Sequence, residues 1–148
     1  MDRDQIFEML VNVDEAAKLL LKLLNIYTPS GRESVLHDVL GEIVDGFGYE
    51  ESYVDGAGNF IASYGDGTPI LLASHMDTVP GKLKAYFDGE RVYGRGAVDA
   101  KGPLLSYILA GAIAMRKVDG LKVYVAGLVR EEVDGLGARH LIENGFRA

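Results

Sequence analysis

Two segments near the start of the chain carry apolar residues at helical spacing. Residues 14–27 predict a helix with one apolar face, which Thr28-Pro29 ends because the residue before a proline avoids helical geometry. Residues 36–47 repeat the pattern and predict a second helix that ends at Gly46 or Gly48. The first third of the chain is therefore predicted to form two amphipathic helices.

The start of the second helix carries a capping signal. Ser30 is followed three residues later by Glu33, whose side chain can reach back to the Ser30 N–H. The pair predicts a capping box.

Strand patterns follow in the middle of the chain. Two hairpins are predicted where β-rich segments flank turn residues, at Asp55-Gly56-Ala57-Gly58 and at Asp88-Gly89. The short apolar run over residues 70–73 has the pattern of a strand buried on both faces. Residues 121–128 predict another buried strand.

Helical patterns alternate with these strands in the second half of the chain. Residues 102–115 are apolar nearly all round, so this helix is expected to lie deep against a sheet. Residues 136–143 predict a last helix, closed by Asn144-Gly145. The alternation indicates an α/β fold: a three-layer sandwich with a mixed, mostly parallel sheet and helices on both faces.

Composition narrows the kinds of function. At 148 residues and 48% hydrophobic content, the chain suits one globular domain. Its net charge of -7 is the wrong sign for tracking phosphates, which argues against a nucleic-acid partner. The chain shows no secretory signal, and its most apolar run, residues 104–115, is too short to span a bilayer. A cytoplasmic protein without membrane partners is expected. Because there is no cysteine, any metal must be held by histidines and carboxylates.

The first candidate for chemistry follows the apolar run 70–73, which leads directly into His75 and Asp77. Neutral imidazole is a good zinc ligand, and a carboxylate two residues away can fix its tautomer. Taken alone, an ordinary polar loop is an equal alternative.

The second candidate is Asp99, within Gly94–Gly102. It stands just before the buried helix, so capping that helix is one interpretation and bridging two metal ions is the other. A nucleotide-binding loop is excluded, because Gly94-x-Gly96 lacks the third glycine of the dinucleotide fingerprint and no P-loop motif occurs.

The third candidate is the pair Glu131-Glu132, directly after the strand predicted at 121–128. Adjacent residues of an extended chain point in opposite directions, so one carboxylate is expected to bind a metal and the other to face a water. A solvated acidic loop is the alternative. The two remaining histidines, His37 and His140, are expected to be ordinary surface residues on helices.

Together the three candidates predict one site, because ligands gather beyond the carboxyl ends of strands in α/β sheets. His75, Asp99 and Glu132 are ligand types suited to zinc, cobalt or manganese, and Glu131 is left over as a base.

The motifs H-x-D-x-V-P at His75–Pro80 and G-R-G-x-x-D-x-K-G at Gly94–Gly102 resemble those of the co-catalytic zinc amidohydrolases, as does Glu131-Glu132 followed by Gly137-Ala138. That family includes succinyl-diaminopimelate desuccinylase, acetylornithine deacetylase, aminoacylase and glutamate carboxypeptidase.

The resemblance implies two Zn²⁺ or Co²⁺ ions per intact site. In that scheme His75 binds one ion, Glu132 binds the other and Asp99 bridges them. Asp77 supports His75, and Glu131 is the general base. A cis peptide between Asp99 and Ala100 is also implied.

Residues 28–33 and 97–104 resemble the lysine-biosynthesis branch, which releases lysine or ornithine from an amino-group carrier protein. Alternatives are deacylation of acetylornithine or succinyl-diaminopimelate, a dipeptidase, or an inactive metal-binding fragment. The resemblance further implies that residues 1–148 are the N-terminal part of the catalytic domain. Further ligands and a lid that mediates dimerisation are then expected elsewhere, and the chain is expected to self-associate.

Overall fold

The computed structural model describes residue 8 and residues 12–146. Among these residues no helix is long and apolar enough to cross a membrane. In chain order the elements are α1 (Val13–Leu24), a short 3-10 helix (Glu33–Leu36), α2 (His37–Phe47), β1 (Glu51–Val54), β2 (Phe60–Tyr64), β3 (Thr68–His75), β4 (Tyr86–Phe87), β5 (Val92–Tyr93), α3 (Lys101–Lys117), β6 (Leu121–Leu128) and α4 (Leu136–Glu143).

Four of the strands form one mixed sheet in the order β1-β2-β6-β3. The predicted α/β class with a mixed sheet is confirmed. The expected predominance of parallel pairing is wrong for the described strands, because β1 and β2 form a hairpin and β2 runs antiparallel to β6. Only β3 and β6 pair in parallel within this sheet. The second predicted hairpin is also present, as β4 paired with β5.

Strand β3 lies at the edge of the described sheet, so the expectation that residues 70–73 are buried on both faces is wrong. Ile70, for example, is 41% exposed. The strand with buried side chains on both faces of the sheet is β6, which pairs with β2 on one side and β3 on the other. An apolar run in the sequence does not by itself distinguish an edge strand from a central one.

Helices cover both faces of the sheet, as predicted. Side chains alternate along a strand, so Val123 and Val125 of β6 join the core under α1, α2 and α3. Ala126, one residue on, instead packs with Ile61 and with Leu141 of α4. Because β3 and β6 pair in parallel, their carboxyl ends lie side by side, with His75 opposite Leu128.

The two ends of helix α2 agree with the sequence signals only in part. Helix α2 does end at Gly48, which is left-handed at φ 83°. The capping box is wrong, because Ser30 donates to Asp77 and Glu33 accepts from the backbone of Arg130. Both side chains therefore form tertiary hydrogen bonds instead of the local bonds of a capping box.

Candidate metal centre

His75 is the last residue of β3. One of its ring nitrogens is bound to Asp77, and the other faces Asp99 and Glu131. Its Nδ1 lies 2.9 Å from the backbone oxygen of Asp77 and 3.3 Å from that residue's Oδ1, so Nδ1–H donates to Asp77. Its Nε2 lies 2.9 Å from Asp99 Oδ1 and 3.6 Å from Glu131 Oε2. Histidines that bind metals are commonly oriented in this way, by a carbonyl or carboxylate on the second nitrogen.

Asp77 is fully buried and joins three segments of the chain. Its carboxylate accepts a hydrogen bond of 2.6 Å from Ser30 Oγ. It also accepts from the backbone N–H groups of Glu131, at 3.0 Å, and Glu132, at 3.1 Å. One side chain therefore orients the imidazole of His75 and fixes the backbone of both glutamates.

The electrostatics of His75 and Asp77 follow from this contact. Burial lowers the pKa of His75, but the hydrogen bonds to Asp77 and Asp99 and the charge of Asp77 outweigh it, so the pKa is raised to about 9. Burial raises the pKa of Asp77, but hydrogen bonds from His75, Ser30 and the two glutamate N–H groups lower it to about 2. Without a metal, His75 therefore carries a proton at neutral pH.

The two glutamates lie in a turn after β6, here called the acid loop (residues 130–136). The loop begins at Arg130, which is left-handed at φ 56°. One ligand atom from each of His75, Glu131 and Glu132 lies within 4.8 Å of the others. The expectation that the two carboxylates point in opposite directions is therefore wrong, because the chain turns here and is not extended.

Two further buried side chains support the acid loop, and the sequence analysis missed both. Asn59 accepts a 3.0 Å hydrogen bond from Val129 N–H and donates one of 3.0 Å to the Gly137 carbonyl, so it joins the two ends of the loop. Glu33 Oε1 accepts from Arg130 N–H at 2.9 Å. Asn59 also binds the nearby Asp55, but the two partners that join it to the acid loop are 70 and 78 residues away, so no local pattern marks it as part of the site.

Asp99 reaches the site from a different segment, here called the Asp99 segment (residues 94–101). Its side chain is 73% exposed apart from the contact with His75. The capping alternative is wrong, because the N-cap of α3 is Ala100 and no side chain caps that end. The peptide between Asp99 and Ala100 is cis, as the resemblance implied.

The Asp99 segment is anchored by Lys101, which is almost completely buried. Its Nζ donates to the Leu23 carbonyl at 3.1 Å and to the Ile26 carbonyl, both at the C-terminal end of α1. A cation at this end of a helix is favourable, because the last carbonyls have no helical partners. Burial lowers the pKa of Lys101 to about 8.

The donors that converge here fit a divalent cation. They combine imidazole with exposed carboxylates, the ligand types of zinc and cobalt sites that lack cysteine. Asp99 and Glu131 both contact His75 Nε2, and Glu132 joins His75 and Glu131. The individual roles, with His75, Asp99 and Glu132 as ligands and Glu131 as base, stay predictions.

The other two histidines lie outside this group. His37 Nε2 lies 3.1 Å from the Gly58 carbonyl, and the ring stacks on Phe60. His140 lies near Asp55, with 3.9 Å between Nε2 and Oδ2. Both are half-buried with partners, so the description of them as ordinary surface residues is only partly right.

Comparisons with known proteins agree with this arrangement. The profile described as Peptidase family M20/M25/M40 matches residues 71–148. The LysW-lysine/LysW-ornithine hydrolase of Sulfurisphaera tokodaii is 45% identical over 136 residues, and the match covers 88% of this chain but only 36% of that protein. The chain therefore spans little more than a third of the length of this relative.

Solved structures share the fold. A tripeptidase from Staphylococcus aureus has a TM-score of 0.74 at 22% identity, over 94% of this chain and 42% of its own. The Bacillus subtilis YXEP protein, described as a dinuclear metal binding peptidase from the M20 family, has a TM-score of 0.68 at 15% identity, over 89% of this chain and 39% of its own.

Proposed function

Because the chain belongs to peptidase family M20/M25/M40, we propose that it forms part of a metal-dependent hydrolase that cleaves an amide bond. The observation that carries this proposal is the convergence of the Asp99 segment and the acid loop on His75. Asp99 lies 2.9 Å from its Nε2, Glu131 lies 3.6 Å from the same atom, and a ligand atom of Glu132 is within 4.8 Å.

We propose that His75, Asp99 and Glu132 hold two divalent ions, zinc or cobalt, and that Asp99 is shared between them. When bound, such ions polarise a carbonyl and lower the pKa of a coordinated water. His75 would hold an ion through Nε2, which must be unprotonated to act as a ligand, while Nδ1 keeps its hydrogen and donates it to Asp77.

Glu131 is the proposed general base. It takes the proton of the attacking water and delivers it to the leaving amine. Its side chain is 56% exposed and so is open to a substrate. Its backbone N–H is held by Asp77, which keeps the carboxylate near His75 as the proton moves.

The proposed substrate is lysine or ornithine in N-acylated form, linked to a carrier protein, and the proposed setting is amino-acid biosynthesis in the cytoplasm. The support is the 45% identical relative, whose name specifies LysW-lysine and LysW-ornithine. Acetylornithine, succinyl-diaminopimelate or a dipeptide are alternatives within the same chemistry.

We also propose that residues 1–148 are the N-terminal part of the catalytic domain. His75 and Asp99 give one ion two protein ligands, and Asp99 with Glu132 give the other ion two, whereas catalytic zinc sites usually have three. Further ligands and a lid then come from outside these residues. The open edge of β3 supports self-association of this chain.

The experiment is release of lysine or ornithine from an N-acylated form. It compares the 148-residue chain with a chimaera in which these residues replace the matching segment of the Sulfurisphaera tokodaii relative. We expect turnover by the chimaera, loss of most turnover with Glu131→Gln, and no turnover by the 148-residue chain. An inactive chimaera that is folded and loaded with metal would favour the other interpretation, a metal-binding module without catalysis.

A further inference from the structure

A pocket lies beside the proposed metal centre. It is about 300 Å³ in volume and is bounded by the end of α1, the loop after β3 and the Asp99 segment. None of the five proposed site residues lines it. Its walls include Leu24, Ile26 and Leu83. Three outer cationic side chains, Lys82, Lys84 and Arg95, line it together with Tyr27, and the buried Lys101 lines it as well. We call it the basic pocket.

Two of these cations are held in place. Arg95 Nε donates to the Gly81 carbonyl at 2.8 Å, and Gly81 N–H donates in turn to the Tyr27 hydroxyl at 2.9 Å. The Nζ of Lys82 lies 5.4 Å from the centre of the Tyr27 ring, within cation–π range. The cations therefore need little reorganisation to meet a ligand, which lowers the cost of binding.

The charge of the basic pocket is not compensated within the described residues. No carboxylate there lies in ion-pair range of the three cations, and no Asp or Glu lines the pocket. The whole chain nevertheless has 22 acidic residues against 15 Lys and Arg. Like charges gathered in a concave site focus the field and attract a ligand of opposite charge.

We propose that the basic pocket binds an anion that carries two or more carboxylate groups. Arg95 offers a planar guanidinium that suits a carboxylate, and Lys82 and Lys84 supply point charges at the rim. The apolar walls fit the hydrocarbon part that joins the carboxylates. The source is either a free oligocarboxylate or the acidic side chains of a peptide.

The test is binding to the metal-free 148-residue chain in buffer passed over a chelating resin, followed by calorimetry and by the backbone amide NMR signals of Gly81 and Arg95. The probes are citrate and an acetylated, amidated tetraglutamate peptide. The test variant is the double substitution Lys82→Gln, Lys84→Gln, at two exposed positions. The matched control is Lys122→Gln, because Lys122 also lies over a tyrosine, Tyr124, but outside the pocket.

We expect at least one probe to bind, with affinity about tenfold or more weaker in the double variant, unchanged in the control and reduced by added salt. Binding of citrate alone assigns a free anion, and preference for the peptide assigns a peptide-borne one. Equal binding by the double variant and the original chain, or no binding of either probe, would overturn the proposal. Neither outcome bears on amide hydrolysis, since none of the substituted lysines is a proposed ligand or base.

Discussion

The acid loop and the Asp99 segment both present exposed carboxylates above buried polar side chains, but these supports act in opposite ways. Beneath the acid loop the supports act mainly as acceptors: Asp77 and Glu33 receive backbone N–H groups of the loop. Asn59 receives that of Val129 just before the loop and donates to the Gly137 carbonyl just after it. Beneath the Asp99 segment the support is a donor, Lys101, which reaches carbonyls of another helix. Asp77 and Glu33 add negative charge beneath carboxylates that already repel one another, whereas Lys101 adds a positive charge.

The two kinds of support differ in how firmly they fix the backbone and in how much charge repulsion they add. Acceptors that bind backbone N–H groups fix where the chain of the acid loop runs, but they crowd negative charge around His75. The hydrogen bonds to Asp77 and Asp99 and the charge of Asp77 raise the pKa of His75, whose protonated form partly neutralises this charge. A divalent cation would do the same more fully. The site is thus built to gain stability when a cation binds.

The largest effect is expected from Asn59→Ala. The change leaves the Val129 N–H and the Gly137 carbonyl without this partner, and an unsatisfied buried group costs about 1–3 kcal/mol. We expect a loss of about 3–5 kcal/mol in the free energy of unfolding, measured by urea denaturation. Asn144→Ala, at an exposed asparagine, is the control and should cost about 0.5 kcal/mol or less. Equal effects of the two changes would mean that Asn59 does not hold the loop.

Gly137→Ala tests the same contact from the other side. An added Cβ would stand 2.3 Å from Asn59 Oδ1 and 2.7 Å from the Val129 backbone nitrogen, which cannot move freely. We expect a loss of about 2–3 kcal/mol, by the same measurement.

The control for this change is Gly46→Ala in α2, where an added Cβ meets nothing within 4 Å. That substitution should stabilise the chain by about 0.5–1 kcal/mol, because alanine is the better helix former. If Gly137→Ala proves as harmless as Gly46→Ala, the packing of α4 against the loop is looser than described.

The pH dependence of the metal-free chain is the third expected effect. The folded pKa of His75, about 9, lies above its unfolded value of about 6.5. Its contribution is therefore complete below about pH 6.5 and is lost as the pH rises through about 9. We expect a fall of roughly 1–3 kcal/mol over this window, which Asp77→Asn should diminish. A flat profile in the original chain would contradict the described contact.

Lys101→Met should have the smallest effect, about 1 kcal/mol in urea unfolding. The Leu23 carbonyl still accepts from Ile26 N–H, and Ile26 is only half-buried, so water can reach the freed group. Removal of a buried charge also offsets part of the loss. A cost as large as that of Asn59→Ala would mean that Lys101 supports the Asp99 segment as strongly as Asn59 supports the acid loop, which would contradict the difference between them.

The sequence predicted elements well where the pattern is local. The hairpin turns, the strand at 121–128 and the helix end at Gly48 all depend on neighbouring residues, and all are present. The positions of His75 at the end of β3 and of the glutamate pair after β6 also followed from local order, whereas Asp99 lies directly before α3. Their supports did not, because each is defined by partners far along the chain.

Two of the failed predictions share that cause. Ser30 and Glu33 have the spacing of a capping box, yet Asp77 and Arg130 bind them instead. The glutamate pair looks extended after an apolar strand, yet Asp77 accepts both of its N–H groups and the chain turns at Arg130. Tertiary hydrogen bonds override local propensity at the places where the site is built.

Glu132 is proposed to be a metal ligand and Glu131 is not, although the two lie side by side in the chain. The most direct measurement is titration of Co²⁺ into the 148-residue chain, followed by visible absorption, in the original sequence, Glu131→Gln and Glu132→Gln. Binding should be weak in the original chain and nearly unchanged in Glu131→Gln, but about tenfold weaker or more in Glu132→Gln. Loss of binding in Glu131→Gln with retention in Glu132→Gln would contradict the account and exchange the two roles.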